Sequence, residues 1–437
     1  MNQASRKPLL LRGARQVGKT HAARKLGLKF PSFVEINLEE NEKAQEIIER
    51  DFDVHRVILQ LSELVGQPIV PGKTLLFFDE IQSAPKALTM LRYFYEKIPT
   101  LHVIVAGSLI EFAIDLVGMA VGRITSLYMY PMSFVEFLAA QGHAAWIKAI
   151  CTYTPSNPMS SALHATLLAQ VSTYLAVGGM PEVVKTWISS QTSHAVSAIH
   201  ADLLDTYQQD FGKYAKNNQI KYLDLLLQKA LEQLSRKFMF ARVGEYKKRE
   251  LAPALDLLAK AGLIHRVFKT AGHGVPLGAQ ADSDDFKIVF LDVGLTQALL
   301  HFNIASWLID PLTNFVNKGE IVEAFVGQEL LAYAPPIRRE QLFYWRCDTR
   351  GSEAEVDYLI QSNELVVPLE VKAGTSKHIK SLFAFLKYNP LAPHGIRLSA
   401  RNYEQEGVIQ SYPLFAVIKP LMDTQEFLRE AVESLIL

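Results

Sequence analysis

Short apolar runs separated by amphipathic stretches make up the first third of the chain. Three mostly apolar runs have the character of strands buried on both faces, namely residues 8–12 (PLLLR), 74–79 (TLLFFD) and 102–106 (HVIVA). Between them, residues 18–28 and 86–97 have the spacing of helices. Because strands that alternate with helices form parallel sheets covered by helices, the pattern predicts an α/β core over residues 1–142.

The periodicity changes after this core. Residues 143–235 have helical spacing, interrupted by GGMPE at 178–182, and predict an all-helical region. Residues 236–275 combine a short helix, a turn, a second helix from about Tyr246 to Lys260 and a strand-like LIHRV, the outline of a winged helix-turn-helix. Its candidate recognition helix begins with Lys247, Lys248 and Arg249. A connector that packs against protein fits the same outline, so both interpretations stay open.

The last part of the chain mixes both kinds of element. A helix is predicted over 320–333, and strands over 342–346, 354–360 and 365–372. The Gly-, Pro- and Asp-containing stretch 271–286 is expected to be a long hairpin or loop. We therefore predict a second α/β domain over residues 276–437.

Composition narrows the class of protein. The 437 residues are 49% hydrophobic and carry 45 basic and 45 acidic side chains, which is ordinary globular usage and excludes a disordered, collagen-like or coiled-coil chain. The balanced charge means that any DNA binding must come from local patches. Two cysteines exclude a disulfide framework. Without a signal-peptide core or a run of about 18 apolar residues, we expect a cytoplasmic protein with no membrane partner.

Residues 13–20 read GARQVGKT, a phosphate-binding loop between a predicted strand and a predicted helix. Gly13 and Gly18 allow the backbone amides to point inward, and Lys19 reaches the β- and γ-phosphates. Thr20 offers a hydroxyl to Mg²⁺. The predicted nucleotide-binding residues are Gly13, Ala14, Arg15, Gln16, Val17, Gly18, Lys19, Thr20 and His21.

The run LLFFDE at 75–80 ends in two carboxylates at the edge of the sheet where ligands bind. We expect Asp79 to hold Mg²⁺ and Glu80 to polarise the attacking water. Ser108, at the end of HVIVAGS, is a candidate for positioning that water, although an ordinary turn residue at the end of a strand would give the same pattern. Arg123 is a candidate for stabilising transition-state charge, in cis or across subunits, with an ordinary surface arginine as the alternative.

A second acidic set lies near the end of the chain. Glu370 and Lys372 in LEVKAG fall on one face of a predicted strand, and Asp357 lies far enough upstream to sit across a hairpin from Glu370. Glu323 lies in an otherwise apolar helix, where a buried carboxylate must be paired or bind a metal. Carboxylates holding Mg²⁺ beside Lys372 would perform nuclease chemistry. The pattern is permissive, and exposed charges on an edge hairpin would produce it too.

The motifs GARQVGKT, FFDEIQ and AGS followed by GR resemble the AAA+-superfamily ATPases of bacteria and archaea. GGMPEVV, LDVGL, EAFVGQEL, FYWR, EVDYLI and PLEVKAG resemble the uncharacterised C-terminal domain that accompanies them. That domain is similar to the PD-(D/E)XK restriction-endonuclease-like fold. The resemblance implies ATP and Mg²⁺ as cofactors, and it assigns Glu323, Asp357, Glu370 and Lys372 to the helix acid, the strand acid and the ExK pair.

We therefore expect a P-loop ATPase core, a helical and winged-helix region and an endonuclease-like α/β domain. The first hypothesis is an ATP-driven protein whose C-terminal half binds DNA, with cleavage of the DNA left open. In the alternative, that half only binds a protein or nucleic acid and the ATPase is a regulatory switch. A metabolic kinase would leave the added domains without a role. A homo-oligomer follows if Arg123 acts in trans.

Overall fold

The structure, a computed structural model, describes residues 6–118, 122–309, 315, 318–349, 353–375, 379–423 and 425–436. The chain divides into two compact units. The first contains the residues up to Tyr130 together with Lys260–Gly262 and Pro336–Arg339. The second contains Pro131–Ala259, Leu263–Pro335 and the residues from Glu340 onward.

The first unit is built on a five-stranded parallel sheet. Its strands are β1 (Leu9–Arg12), β2 (Ser32–Asn37), β3 (Thr74–Asp79), β4 (His102–Ala106) and β5 (Thr125–Tyr128), in the order β2-β3-β4-β1-β5. Every residue of β3 is buried, because apolar side chains pack on both faces of the sheet. The parallel α/β core predicted from the apolar runs is confirmed.

Helices follow the strands of this sheet. They are α1 (Lys19–Gly27), α2 (Glu42–Arg50), α3 (Val54–Val65), α4 (Lys86–Lys97) and α5 (Ile110–Val117), with a 3₁₀ turn at Ile81–Ser83. The side chains of Asn41 and Asp53 cap α2 and α3 by accepting hydrogen bonds from backbone N–H groups of the first turn. The amphipathic stretch at 86–97 is the helix that its spacing predicts.

The second unit begins with helices. The run from α6 to α12 comprises α6 (Phe134–Ala140), α7 (Ala144–Thr152), α8 (Ser161–Val177), α9 (Pro181–Ser190), α10 (Ser193–Tyr214), α11 (Asn217–Leu231) and α12 (Lys248–Lys260). Later helices are α13 (Val293–Leu299), α14 (Ala305–Ile309), α15 (Gly319–Ala332), α16 (Lys380–Tyr388), α17 (Ile418–Met422) and α18 (Glu426–Ile436). The GGMPE break separates α8 from α9, as predicted. No described helix combines the length and the apolar character needed to cross a membrane.

An eight-stranded mixed sheet completes the second unit. Its strands are β6 (Ile264–Thr270), β7 (Ala281–Phe290), β8 (Leu342–Arg346), β9 (Glu355–Ser362), β10 (Leu365–Lys372), β11 (Gly395–Ser399), β12 (Glu404–Glu406) and β13 (Ile409–Pro413). The order across the sheet is β12-β13-β11-β10-β9-β8-β6-β7. Helix α15 packs on β7 and β10, and α16 packs on β9, β10 and β11.

The region predicted as a winged helix differs in detail from its outline. The helix predicted to be its recognition helix, α12, begins at Lys248, so Lys247 precedes it. The strand-like LIHRV becomes β6, which pairs with β7 and with β8 in the large sheet. Residues 281–286, expected to be part of a hairpin loop, are the first half of β7. Ala281, Asp282 and Phe286 pair with β6, the register shifts in between, and the ring of Phe286 contacts that of Phe268.

Candidate functional site

The loop GARQVGKT joins β1 to α1 and has the curled backbone that its glycines predict. Gly13 and Gly18 have φ values of +142° and +99°. A Cβ atom on Gly13 would lie 2.2 Å from the carbonyl oxygen of Met129, directly after β5, so this position has no room for a side chain. Gln16 also has a positive φ of 63°. The loop therefore forms a concave backbone surface at the start of α1.

Lys19 lies inside this loop. Its ammonium group donates to the carbonyl oxygens of Gly13 at 3.0 Å and Ala14 at 2.6 Å. Burial lowers the pKa of Lys19 to about 8, although Glu80 and Asp79 oppose the shift. The side chain is thus a desolvated cation whose present partners are neutral carbonyls, and a phosphate oxygen would be a stronger acceptor.

Thr20 and Asp79 meet at the end of β3. The hydroxyl of Thr20 donates to Asp79 Oδ2 at 2.6 Å. Burial raises the pKa of Asp79, while the bond from Thr20 lowers it. A hydroxyl and a carboxylate in contact beside a phosphate-binding loop are the donor set that Mg²⁺ uses in P-loop proteins. Thr20 and Asp79 are therefore suited to hold a magnesium ion, and their role as its ligands stays a prediction.

Glu80 follows Asp79 with a left-handed backbone, φ 49° and ψ 47°. Its Oε2 accepts from Gln82 Nε2 at 2.5 Å and from Ser108 Oγ at 3.4 Å. A Cβ on Gly107 would lie 2.2 Å from Gln82 Oε1, so the glycine makes room for the glutamine. Positive φ at a non-glycine residue is strained and is common at functional sites. The structure brings Ser108 to Glu80, and it adds Gln82, which the sequence analysis did not assign.

Arg123, the arginine predicted to stabilise transition-state charge, contacts α4. Its side chain is 46% exposed and pairs with Glu96, with 3.3 Å between Nε and Oε1. Glu96 is also paired with Arg92 one turn earlier on α4. Arg123 therefore contacts a surface carboxylate, and its role at the γ-phosphate stays a prediction.

The acidic set of the second unit lies around the pair β9–β10. The two strands are antiparallel, with Tyr358 opposite Leu369, so the predicted hairpin is confirmed. Asp357 Oδ2 accepts from the backbone N–H of Val371 at 2.7 Å. Lys372 donates to Glu370 Oε1 at 2.5 Å. Burial, followed by the charge of Asp357, raises the pKa of Glu370.

A lysine that the sequence analysis missed lies among these carboxylates. Lys287, from β7, is 2% exposed, and its Nζ lies 2.6 Å from Glu355 Oε1, 3.0 Å from Glu323 Oε1 and 3.9 Å from Asp357 Oδ1. Burial opposes its charge, but the three carboxylates outweigh burial and raise the pKa of Lys287 far above its ordinary value. The same burial raises the pKa values of Glu323 and Asp357, although the charge of Lys287 opposes the shift of both carboxyl groups.

This arrangement does not suit a divalent cation. Among the described residues, no three His, Cys, Asp or Glu side chains are placed to share a metal ion. Glu323 and Asp357, two of the three predicted metal ligands, both face Lys287. Their proposed role as magnesium ligands stays a prediction that the geometry does not favour.

A neighbouring ion cluster surrounds Asp285, two residues before Lys287 on β7. Its Oδ2 accepts from Lys237 at 2.8 Å and Arg346 at 2.9 Å, and its Oδ1 accepts from the Tyr344 hydroxyl at 2.5 Å. Arg346 therefore has a carboxylate partner within the chain. Charged residues of β7 thus face partners from distant elements, which no local pattern reveals.

Comparison with known protein families agrees with a phosphate-binding loop in the first unit. Residues 5–138 match the model of an AAA domain. Residues 168–305 and 318–416 match two domains of unknown function, DUF8612 and DUF4143. No curated protein matches the sequence. Together with the loop and strand geometry, the AAA match supports a P-loop ATPase in the N-terminal part of the chain.

Several solved structures are similar to the chain at low identity. A Walker-type ATPase of Pyrococcus abyssi is 14% identical, with 67% of this chain and 91% of that chain covered and a TM-score of 0.43. C. elegans PCH-2 is 12% identical, with 44% and 60% covered and a TM-score of 0.25. Drosophila ORC bound to AT-rich DNA and Cdc6 is 11% identical, with 68% and 86% covered and a TM-score of 0.20.

Proposed function

We propose that the protein hydrolyses ATP at the loop between β1 and α1, and that the nucleotide state controls what its C-terminal half binds. The observation that carries the first part is the contact between Thr20 and Asp79 beside Glu80. It joins the side chains for metal binding and water activation at one end of β3. The proposal divides the chain into the ATPase core (1–142), a helical region (143–235), a winged-helix-like module (236–275) and an endonuclease-like domain (276–437).

In this mechanism Lys19 moves from the loop carbonyls to the β- and γ-phosphate oxygens. Thr20 and Asp79 would hold Mg²⁺, which would supply positive charge to the phosphates. Glu80 accepts hydrogen bonds from Gln82 and Ser108, and its free oxygen orients the water that attacks the γ-phosphorus in line. ADP is the leaving group and inorganic phosphate the second product.

The ATPase part is tested by phosphate release from the full chain with Mg²⁺ and ATP. Lys19→Ala is expected to lose nucleotide binding, because the loop loses its only cation that reaches the phosphates in this mechanism. Glu80→Gln is expected to bind ATP and to hydrolyse it at least about a hundredfold more slowly. An unchanged rate of hydrolysis in Glu80→Gln would show that Glu80 does not activate the attacking water.

For the C-terminal half we propose binding without cleavage, with DNA as the partner class. Lys247 and Arg249 are exposed at the start of α12, while Lys248 pairs with Asp284. Such exposed cations suit phosphate contacts. The burial of Lys287 supports binding over cleavage, because its ammonium group lies 3.0 Å from Glu323 and 3.9 Å from Asp357, two of the predicted metal ligands.

Metal-dependent cleavage is the second candidate, favoured by the pairing of Lys372 with Glu370 beside Asp357. The protein is incubated with linear, supercoiled and branched DNA, with Mg²⁺ or Mn²⁺, with and without ATP. Cleavage that disappears in Lys372→Ala would establish the second candidate. DNA binding that depends on the nucleotide, without cleavage of the DNA, would agree with the first candidate. Absence of DNA binding in every nucleotide state would exclude DNA as the partner.

A further inference from the structure

Lys287 occupies an unusual position for a charged side chain. It lies on β7, where every residue from Asp285 to Phe290 is buried, and helix α15 packs over the strand. A buried ammonium group is strongly destabilising unless carboxylates and hydrogen bonds compensate it. The position therefore implies that the surrounding acids are arranged around this lysine.

The carboxylates that compensate the charge of Lys287 come from two other elements. Glu323 is on α15, and Glu355 and Asp357 are on β9; their oxygens approach Lys287 Nζ at 3.0, 2.6 and 3.9 Å. The ring of Tyr344 lies beneath the same nitrogen, with 5.0 Å to its centroid. An aromatic face attracts an ammonium group, whereas Mg²⁺ takes oxygen ligands in octahedral geometry. The ligand set suits the lysine better than a metal.

The space around the lysine is equally restrictive. The small cavity beside Lys287, lined by Glu323 and Tyr358 among others, has no room for a water molecule. Mg²⁺ gives up its hydration water reluctantly and usually keeps several waters when it binds protein. A second cation would also be repelled by the ammonium group, since both would share the carboxylates of Glu323 and Asp357.

We propose that the Lys287 ammonium is the resident cation of this carboxylate cluster and takes the place of a divalent metal. The cluster then ties α15 and β9 to β7 through charge and has no part in metal-dependent phosphodiester cleavage. The site is a permanent ion-pair centre in a domain that binds without cutting. This inference does not depend on ATP hydrolysis at the P-loop.

One carboxylate oxygen among the predicted metal ligands is still available to a cation. Glu370 Oε2 is buried and has no hydrogen-bond partner among the described residues. If a metal bound here in spite of Lys287, Glu370 and Asp357 would be its ligands. The test must therefore detect metal directly.

The experiment is a titration of the nucleotide-free full chain with Mn²⁺, followed by electron paramagnetic resonance. Wild type is expected to bind no Mn²⁺ that responds to Asp357→Asn. Lys287→Ala, which removes the cation and opens space, is expected to gain about one Mn²⁺ per chain and to lose it again in Lys287→Ala combined with Asp357→Asn. Lys287→Arg, which keeps the charge, is the matched control and is expected to gain none.

Two results would overturn the proposal. One is a stoichiometric Mn²⁺ in wild type that Asp357→Asn removes, because the metal would then coexist with the lysine. The other is a folded Lys287→Ala that gains no Mn²⁺, because the lysine would not be occupying a metal position. If Lys287→Ala does not fold, the wild-type titration with Asp357→Asn decides the question alone. Phosphate release, measured on the same samples, reports separately on the proposed ATPase.

Discussion

The side-chain amide of Gln82 donates to the carboxylate of Glu80 across 2.5 Å, and both residues sit in the turn that follows β3. Glu80 reaches this position through a left-handed backbone, and Ser108 donates to the same oxygen. Two donors on one oxygen fix the carboxylate and leave its other oxygen to act on a water molecule. Gln82 is therefore a positioning residue for Glu80.

Removing this donor is expected to slow hydrolysis more than it weakens binding. In Gln82→Ala, Glu80 loses its closest partner and samples other rotamers, so kcat is expected to fall about ten- to a hundredfold with little change in KM for ATP. Steady-state phosphate release measures both constants. Gln82→Glu, which cannot donate when ionised and repels Glu80, should be at least as slow. An increase in kcat for Gln82→Ala would mean that the amide holds Glu80 away from the water.

Lys19 predicts a pH dependence of nucleotide binding. Its pKa of about 8 in the free protein is expected to rise when phosphate oxygens replace the loop carbonyls as partners. Binding therefore takes up a proton above that pKa, and the affinity for ATP should fall as pH rises through 8, approaching tenfold per pH unit. Below about pH 7 the lysine is already charged and contributes no dependence.

Calorimetry in buffers with different ionisation enthalpies measures the proton uptake directly. Lys19→Arg keeps a charge at every pH used, so any residual binding by that variant should lack this dependence. A wild-type affinity that stays constant from about pH 7 to 9 would show that Lys19 is charged before the nucleotide binds.

The parallel sheet and the P-loop could be predicted because their signals are local. Every residue of β3 comes from one apolar run, and Gly13 and Gly18 define the loop by their spacing. Asp357 and Glu370 could be paired because a hairpin joins neighbouring strands. Short-range spacing was sufficient in each case.

Lys287 could not be found in this way. Its carboxylate partners are at least 36 residues away along the chain, on α15 and β9, and it follows a stretch whose composition predicts a long hairpin or loop. Arg123 is the opposite case, since its motif suggested a phosphate contact, but Glu96 is its partner. Which distant charges meet depends on packing, and the sequence pattern does not contain that information.

Substitution of Gly178, the first residue of the GGMPE break, is expected to lower the free energy of unfolding. Gly178 has a φ of +81°, and a Cβ there would lie 2.1 Å from Asp292 Oδ1. Asp292 is fully buried and accepts from the backbone of Gly179, Gly294 and Leu295. Gly178→Ala displaces this carboxylate from its donors, so the loss in free energy of unfolding should combine backbone strain with overpacking.

Gly118 provides a matched control for that variant. It ends α5 with φ 75° and ψ 169°, close to the φ 81° and ψ −175° of Gly178, but no atom of the described residues lies within 4 Å of its Cβ position. Gly118→Ala should therefore show the backbone strain alone. We expect Gly178→Ala to be less stable than Gly118→Ala by about 2 kcal/mol in urea unfolding. Equal losses would mean that Asp292 moves aside freely.

Glu329 predicts how stability depends on pH. It is buried on α15 and accepts from the backbone N–H of Phe134 at 2.9 Å. Burial raises its pKa from 4.5 to about 8, against opposing bonds from Tyr333 and Phe134. Between those two pH values the folded chain holds a proton that the unfolded chain releases. The stabilisation that this proton gives is complete below pH 4.5 and is lost as pH rises through 8.

Glu329→Gln removes this titration, because an amide stays neutral and its oxygen still accepts from Phe134. The variant is expected to match wild type near pH 4.5 and to become progressively more stable than wild type toward pH 8, with a limiting slope of about 1.4 kcal/mol per pH unit. Glu320→Gln changes an exposed residue of the same helix and should follow the wild-type curve. Urea unfolding at a series of pH values compares the three proteins. Parallel curves for Glu329→Gln and wild type would mean that Glu329 is ionised in the folded protein, and the bond to Phe134 would then be made by a carboxylate.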